Sequence, residues 1–137
     1  MSGGRVFAYA ASLAEDGVTS AEAGAPLDLG EEWTPEHLAL AALLRCTVAS
    51  LRFHADRVGV GVVASGRAAG TVARRESDGR YAFVDVSVEI SARLDPAPAA
   101  LDALLARAEQ DCFIGASLTA PPAYSWTIDG NRVPSRA

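Results

Sequence analysis

The chemistry of this chain is expected to lie in its two cysteines. Cys46 and Cys112 are 66 residues apart in a chain of 137 residues. In a protein that carries no export signal, cysteines are more often reduced, catalytic or redox-sensing than structural. A cysteine inside an apolar helix, by contrast, is usually a small core residue, and composition alone favours that interpretation for Cys46. Composition leaves the role of Cys112 undecided.

The other residues that could carry chemistry form no recognisable site. The two histidines, His37 and His54, and the two cysteines have none of the spacings typical of zinc ligands. Each histidine falls near one end of the same predicted helix, where a polar partner is the simplest explanation. The chain also lacks a G-x-S-x-G segment, a phosphate loop and a G-x-G-x-x-G that follows a strand. The sequence therefore predicts neither a bound metal nor a bound nucleotide.

Charge and hydropathy restrict the partners. The net charge is −5, and twelve arginines are scattered among seventeen acidic residues, whereas nucleic-acid-binding proteins usually carry a basic face. The N-terminus has no apolar run of signal-peptide length, and the apolar stretch at residues 38–44 is too short to span a bilayer. We therefore predict a single cytoplasmic domain covering residues 1–137, which binds neither nucleic acid nor membrane.

A long helix is predicted to position Cys46. Thr34 is a suitable N-cap, Pro35 favours the first helical turn, and Glu36 complements the positive end of the helix dipole. No glycine or proline then intervenes until about Asp56. Apolar residues cover most of the circumference, which is typical of a buried helix. Cys46 would then lie near the middle of the central element of the fold.

The remaining pattern predicts an α+β domain with the element order ββ-α-ββ-α-β. Alternation of apolar and polar residues over 81–91 gives the clearest strand. The other predicted elements are, in chain order, a hairpin with strands at residues 6–13 and 18–23, a loop at 24–33, a strand region from 58 broken by glycines at 59, 61, 66 and 70, a second helix from Asp95–Pro96 to about Cys112, and a last strand at Ala123–Ile128.

Two segments resemble the signature of one protein family. Residues 33–47, WTPEHLALAALLRCT, resemble the pattern (S/T/N)-P-E-x-L-x-x-A-x-x-x-C-(T/F), with one residue more between the alanine and the cysteine, so that Glu36 stands ten residues before Cys46. Residues 108–118, AEQDCFIGASL, resemble A-E-x-x-C-P-(V/Y)-S-x-S-L and contain Cys112. Both patterns are those of the OsmC/Ohr family of thiol-dependent hydroperoxide reductases. The resemblance extends over about residues 30–130.

The resemblance implies a fold and a reaction. The fold is an intertwined homodimer, in which antiparallel sheets wrap around paired central helices. In the reaction the Cys46 thiolate attacks an organic hydroperoxide or hydrogen peroxide, releases the reduced product and becomes a sulfenic acid, and Cys112 condenses with it to a disulfide. An external dithiol then reduces the disulfide, so that no bound cofactor is needed. In the family a glutamate, matched here by Glu36, and an arginine orient and activate the attacking thiolate.

The spacing within the helix restricts how Glu36 could take part. Glu36 and Cys46 are ten residues apart, which places them about 15 Å apart along a helix axis. If Glu36 serves the Cys46 thiol, it must come from the second subunit of a dimer. A glutamate in the first turn also stabilises the helix dipole, and that role would hold equally in a monomer. The oligomeric state therefore distinguishes the two interpretations.

The arginine of the family pattern has no clear counterpart. The loop at residues 26–33, where many members carry it, contains no arginine and is acidic. Arg5 follows two glycines near the N-terminus and resembles a second version of the pattern. Arg45 is adjacent to Cys46, but neighbours on a helix point about 100° apart. Arg5 and Arg45 are therefore both candidates for activating the thiol.

Departures from the family pattern keep two further interpretations open. Phe113 and Gly115 stand where proline and serine are common. Together with the missing loop arginine, they would fit a family member that uses its thiols on reactive sulfur species or electrophiles. A third interpretation is a dimeric module without catalysis, which binds a small apolar ligand while Cys46 only packs. Replacing Cys46 by serine would abolish peroxidase activity but would leave such ligand binding intact.

Overall fold

The computed structural model describes residues 4–134, and the chain divides into two compact units after Thr34. The first unit contains an antiparallel sheet of three short strands, β1 (Ala11–Leu13), β2 (Thr19–Ala21) and β3 (Pro26–Leu27), in that order. The predicted hairpin of β1 and β2 is confirmed. β3 corrects the prediction of a loop at residues 24–33, because a strand of two residues leaves no alternation in the sequence.

The second unit combines helices with a four-stranded sheet. Its described elements are, in chain order, α1 (Pro35–Arg57), β4 (Gly61–Arg74), β5 (Tyr81–Asp95), α2 (Leu101–Gln110), α3 (Phe113–Ala116), β6 (Ala123–Ile128) and β7 (Asn131–Arg132). The strand order is β4-β5-β6-β7. β4 with β5 and β6 with β7 are antiparallel pairs, whereas β5 and β6 are parallel. The α+β class is confirmed, but the expectation of antiparallel pairing is wrong for β5 and β6.

The parallel pair needs a crossover connection, and α2 and α3 provide it. Both of these helices pack against α1, which also packs against β4. Cys112 stands between α2 and α3, and Cys46 stands on α1. The crossover therefore carries one cysteine to the helix that holds the other.

β4 contains Gly61, Gly66 and Gly70, glycines that predict bulges or a close approach of the backbone. It pairs with β5 over its whole length, with one bulge. A Cβ atom at Gly66 would lie 2.5 Å from the carbonyl oxygen of Glu89, and one at Gly70 would lie 2.8 Å from the Phe83 ring. Side chains at these two positions would collide with the partner strand, so the predicted close approach of the backbone is confirmed at both glycines.

β5 is longer than predicted, and α2 begins later. The alternation expected for β5 is confirmed and extends to the end of the strand; its buried residues are Val86, Val88, Ile90, Ala92 and Leu94. The prediction that a helix begins at Asp95–Pro96 is wrong, because Asp95 still pairs with Gly61 of β4. The Asp95–Pro96 peptide is cis, and α2 begins at Leu101.

α1 has the predicted start and ends within a residue of the predicted end, but one chain buries only a stripe of it. The buried residues recur every three or four positions and are Leu43, Thr47, Ser50, Leu51 and Ala55. Phe53, on another side, is 58% exposed. The apolar region is longer than residues 38–44: α1 has 23 residues and a window of mean hydropathy 1.3, enough by composition to span a membrane. The core helix of a soluble protein passes the same test.

Candidate functional site

Cys46 and Cys112 lie side by side where α1 meets the junction of α2 and α3. Cys46 is half-buried, and Cys112, which directly precedes the first turn of α3, is fully buried. The two thiols are free, and they are close enough for Cys112 to act on the ionisation of Cys46. The fold therefore brings together two cysteines that are 66 positions apart in the sequence.

Backbone amides hydrogen bond with the Cys46 sulfur. The amide of Ile114 donates to Sγ at an N–S distance of 3.5 Å, and the amide of Phe113 also hydrogen bonds with it. Both amides belong to the first turn of α3, where N–H groups have no partner within the helix.

The pKa of the Cys46 thiol is nevertheless raised. Burial is the largest cause, the Ile114 amide opposes it, and the charge and hydrogen bond of Cys112 raise the pKa further. Because the thiolate is the nucleophile, a raised pKa lowers reactivity at neutral pH. The thiol therefore needs a nearby cation, beyond the amide groups, to become a good nucleophile.

Two hydroxyl groups contact Cys112. Thr47 Oγ1 lies 3.5 Å from Cys112 Sγ and donates its own hydrogen to the carbonyl oxygen of Leu43 at 2.8 Å. A hydroxyl has one hydrogen, so Thr47 accepts a hydrogen bond from the Cys112 S–H. The Tyr124 hydroxyl, from β6, also lies close to Cys112, since both groups border the Cβ position of Gly115. The buried thiol is thus held from α1 and from the sheet.

Tyr124 reaches Cys112 through a space that a glycine leaves open. A Cβ atom at Gly115 would collide with the Tyr124 hydroxyl and would lie 3.4 Å from Cys112 Sγ. The pKa of Tyr124 is raised well above its ordinary value, first by burial and then by the hydrogen bond and charge of Cys112. The tyrosine therefore keeps its proton and acts as a donor at neutral pH.

A cavity of about 540 Å³ opens beside Cys46. Its other lining residues are Leu44, Arg45, Val48, Ala49, Arg52, Ala64, Ser65 and Gly66. Arg45 and Arg52 are seven residues apart and therefore lie on the same side of α1. The cavity can receive a small, largely apolar molecule next to Cys46, and two arginines are among the residues that line it.

The other predicted site residues lie away from the thiol pair or in the other unit. Glu36 is exposed in the first turn of α1, about 15 Å along the helix from Cys46. Arg5 belongs to the first unit, where its guanidinium lies 5.8 Å from the centre of the Phe7 ring. Within the second unit the structure therefore joins Cys46 and Cys112 but leaves Glu36 out of their reach.

The two histidines lie near opposite ends of α1. His54 Nε2 lies 2.7 Å from Asp111 Oδ2, so the predicted polar partner of His54 is confirmed. His37 is in the first turn of α1 and is exposed. Among residues 4–134, no three histidine, cysteine or acidic side chains come together as metal ligands would.

Sequence analysis missed four residues that surround the thiols: Thr47, Arg52, Ile114 and Tyr124. Ile114 contributes a backbone amide, for which no side-chain signal exists. Arg52 could have been found, because its spacing from Arg45 places the two on one helix face. Tyr124 and Thr47 carry no such signal, because a parallel strand and a crossover bring them to Cys112.

Comparison with known proteins identifies a family and a fold. The profile of the family described as OsmC-like protein matches residues 28–127. Sequence comparison with curated proteins finds no match. Among solved structures, an OsmC-like protein of unknown function from Vibrio cholerae is similar with a TM-score of 0.73 and 14% identity, covering 88% of this chain and 99% of that one.

Two organic hydroperoxide resistance proteins are also similar in fold. OhrB of Bacillus subtilis has a TM-score of 0.54 and 14% identity, covering 90% of this chain and 98% of its own. A protein from Legionella pneumophila has a TM-score of 0.57 and 16% identity, covering 91% of this chain and 98% of its own. At such identities the likeness shows the fold, and the chemistry has to be argued from the site.

Proposed function

This chain belongs to the OsmC-like protein family, and on that basis we propose that it is a cytoplasmic, thiol-dependent peroxidase that reduces organic hydroperoxides or hydrogen peroxide. The observation that carries the proposal is the pair of free cysteines close enough to interact, one half-buried beside a cavity and the other buried. A reacting thiol needs access to substrate, whereas a resolving thiol needs only to reach its partner.

In the first step the Cys46 thiolate attacks the terminal oxygen of the hydroperoxide. The O–O bond breaks, the alcohol leaves with a proton, and Cys46 becomes a sulfenic acid. Cys112 then attacks the sulfenic sulfur, a disulfide forms and water leaves. An external dithiol restores both thiols, so that the cycle needs no bound cofactor.

Activation of Cys46 is the demanding part, because its pKa is raised. The amides of Ile114 and Phe113 supply part of the stabilisation of the thiolate. We assign the remaining positive charge to Arg52 or Arg45, which line the same cavity. Arg5 remains a candidate only through the family pattern, since it lies in the other unit.

A homodimer would bring in Glu36. The uncovered apolar side of α1 is the surface on which a second copy would pack, and Phe53 is an exposed aromatic residue there. Within one chain Glu36 is exposed and distant from Cys46. In a dimer, a Glu36 from the second subunit could orient an arginine beside the thiolate, and a purely monomeric protein in solution would contradict this role.

One experiment tests the proposal directly. The reduced protein is mixed with one equivalent of an organic hydroperoxide, and its intact mass and free thiols are followed. We expect rapid loss of both thiols together with the mass of two hydrogen atoms. Cys112→Ser should stop after one turnover and proceed to sulfinic acid, and Cys46→Ser should not react. Unchanged mass, or slow sulfonic acid formation at a single cysteine, would refute the proposed peroxidase activity.

The raised pKa of Cys46 favours a second candidate function. An OsmC-like protein with little thiolate at neutral pH would reduce peroxides slowly and could instead use the cavity for reactive sulfur species, electrophiles or a small apolar ligand. Cys46→Ser separates these outcomes, because a ligand-binding protein would keep its ligand after this change. A thiol-dependent activity of either kind would be lost.

A further inference from the structure

Cys112 is a buried thiol with a hydroxyl donor against it. Tyr124 reaches it from β6, and Thr47 reaches it from α1. The hydrogen of Thr47 already goes to the Leu43 carbonyl oxygen, so Thr47 can only accept. Tyr124 is therefore the hydroxyl that is available to donate to the sulfur, and a donor at this place stabilises a thiolate more than a thiol.

Two features restrain the position of Tyr124: a hydrogen bond further along β6 and the close packing of its hydroxyl against Gly115. Two residues further along β6, Trp126 is buried, and its Nε1 donates to Glu109 Oε2 at 2.8 Å, which ties the strand to α2. On the other side, a Cβ atom at Gly115 would collide with the Tyr124 hydroxyl. The serine that the family pattern commonly has at this position could not coexist with the tyrosine as it stands here. The glycine and the tyrosine therefore form one arrangement around Cys112.

We propose that the Tyr124 hydroxyl stabilises Cys112 as the thiolate that closes the disulfide, an inference that rests on the proposed peroxidase function. In this step the Cys112 thiolate attacks the sulfur of the Cys46 sulfenic acid, so that the S–S bond forms and the S–O bond breaks. The oxygen leaves as hydroxide and takes up the proton that Cys112 has released, giving water. The Cys112 sulfur is oxidised and the Cys46 sulfur is reduced, while Tyr124 keeps its proton.

The groups around Tyr124 are compatible with this role. Those that act on its hydroxyl are Cys112, Glu109 from α2 and Cys46 from α1, and all three carry negative charge when ionised. With burial, they raise the pKa of Tyr124, so the tyrosine is a donor throughout the range in which thiols titrate. The Glu109 carboxylate is itself bound by Trp126.

The test separates formation of the sulfenic acid from its resolution. Tyr124→Phe is compared with Tyr81→Phe, a matched control at an exposed site at the start of β5. After one equivalent of an organic hydroperoxide, dimedone trapping follows the Cys46 sulfenic acid, and thiol counting follows the disulfide. We expect Tyr124→Phe to form the sulfenic acid at the control rate but the disulfide about ten-fold more slowly.

A second oxidant distinguishes the two proposals. Diamide adds to one thiol and is displaced by the other, so it closes the same disulfide without a peroxide. If diamide reveals the slow step in Tyr124→Phe but the peroxide leaves the wild-type protein unchanged, the peroxidase fails and the role of Tyr124 stands. If Tyr124→Phe and Tyr81→Phe close the disulfide equally fast with both oxidants, the role of Tyr124 is overturned.

Gly115 provides an independent check that survives a folding defect. Gly115→Ala should slow disulfide formation in the wild-type background, because the new methyl group displaces the Tyr124 hydroxyl. In the Tyr124→Phe background the hydroxyl is already absent, and Gly115→Ala should add little to the effect. Equal effects of Gly115→Ala in both backgrounds would contradict the coupling of these two residues.

Discussion

Replacing Phe113 by proline would remove one of the two backbone amides that hydrogen bond with the Cys46 sulfur. The backbone is already suited to the change. Phe113 is the first residue of α3, a position that proline favours. Cys112 before it has φ −77° and ψ 100°, the extended conformation that a residue preceding proline prefers. The Phe113 side chain is 54% exposed, so little packing is lost.

The size of the effect follows from the hydrogen bond that disappears. A hydrogen bond to a charged group contributes about 1.5–3 kcal/mol. Cys46 is only partly buried, so solvent screening reduces this value, and the Phe113 amide is the weakest of the causes that act on the Cys46 pKa. We therefore expect the pKa of Cys46 to rise by about half to one pH unit. The thiolate population at neutral pH should then fall about three- to ten-fold.

The assay is the rate of Cys46 alkylation by iodoacetamide as a function of pH, in a Cys112→Ser background with a single thiol. Phe113→Ala is the matched control, because it loses the same ring but keeps the amide. Phe113→Pro should be slower than Phe113→Ala at neutral pH and equal to it at high pH. Its thermal stability should be unchanged or slightly higher. Identical rate–pH curves for the two variants would refute the argument that the α3 amides hold the thiolate.

Three other perturbations test the cavity, the hydrophobic core and the Cys46 thiol. Arg52→Ala should slow peroxide reduction at least about ten-fold, because Arg52 lines the cavity with Cys46. Arg57→Ala, at the end of α1, is the control and should leave the rate unchanged. Equal rates for the two variants would contradict a role of Arg52 in activating the thiol. Leu105→Ala should cost about 2–5 kcal/mol in urea unfolding, because Leu105 is 0% exposed in the core; a loss under about 1 kcal/mol would mean that the core is not packed as described. The pKa of Cys46 is higher in the folded protein than its ordinary value of 9.0, so the folded state holds this proton more tightly than the unfolded state does. The thiol therefore contributes its full share to the free energy of unfolding below pH 9.0, and this contribution is lost as the pH rises through the pKa of the folded state. The Cys46→Ser variant should lose less stability above this pH, and parallel stability–pH curves for the two proteins would contradict the burial of the thiol.

Local signals in the sequence were sufficient for the elements whose structure is local. The Thr34-Pro35-Glu36 start of α1 and the alternation in β5 could be read directly, because capping and side-chain periodicity are set by near neighbours. β6 was predicted with its observed bounds. The errors concern elements that depend on a partner. α2 starts late because Asp95 is still paired to β4, and β6 is parallel to β5 because a crossover connects them.

The site divides in the same way. The two cysteines could be singled out by their motifs, and Glu36 with them. The amide of Ile114, the hydroxyl of Tyr124 and the guanidinium of Arg52 have meaning only once α3, β6 and α1 are assembled. Residue types can be listed from a sequence, but distances between atoms on different elements cannot.

The parallel pairing of β5 and β6 has a consequence for the order in which the protein matures. β6 can align beside β5 only after α2 and α3 have crossed back, so this contact joins distant parts of the chain and is expected to form late in folding. Because successive strand residues point to opposite faces, a register error of one residue would turn Tyr124 away from Cys112. A newly made chain therefore has both thiols before Tyr124 is in place beside them. The ability to form the Cys46–Cys112 disulfide rapidly would then indicate that folding is complete.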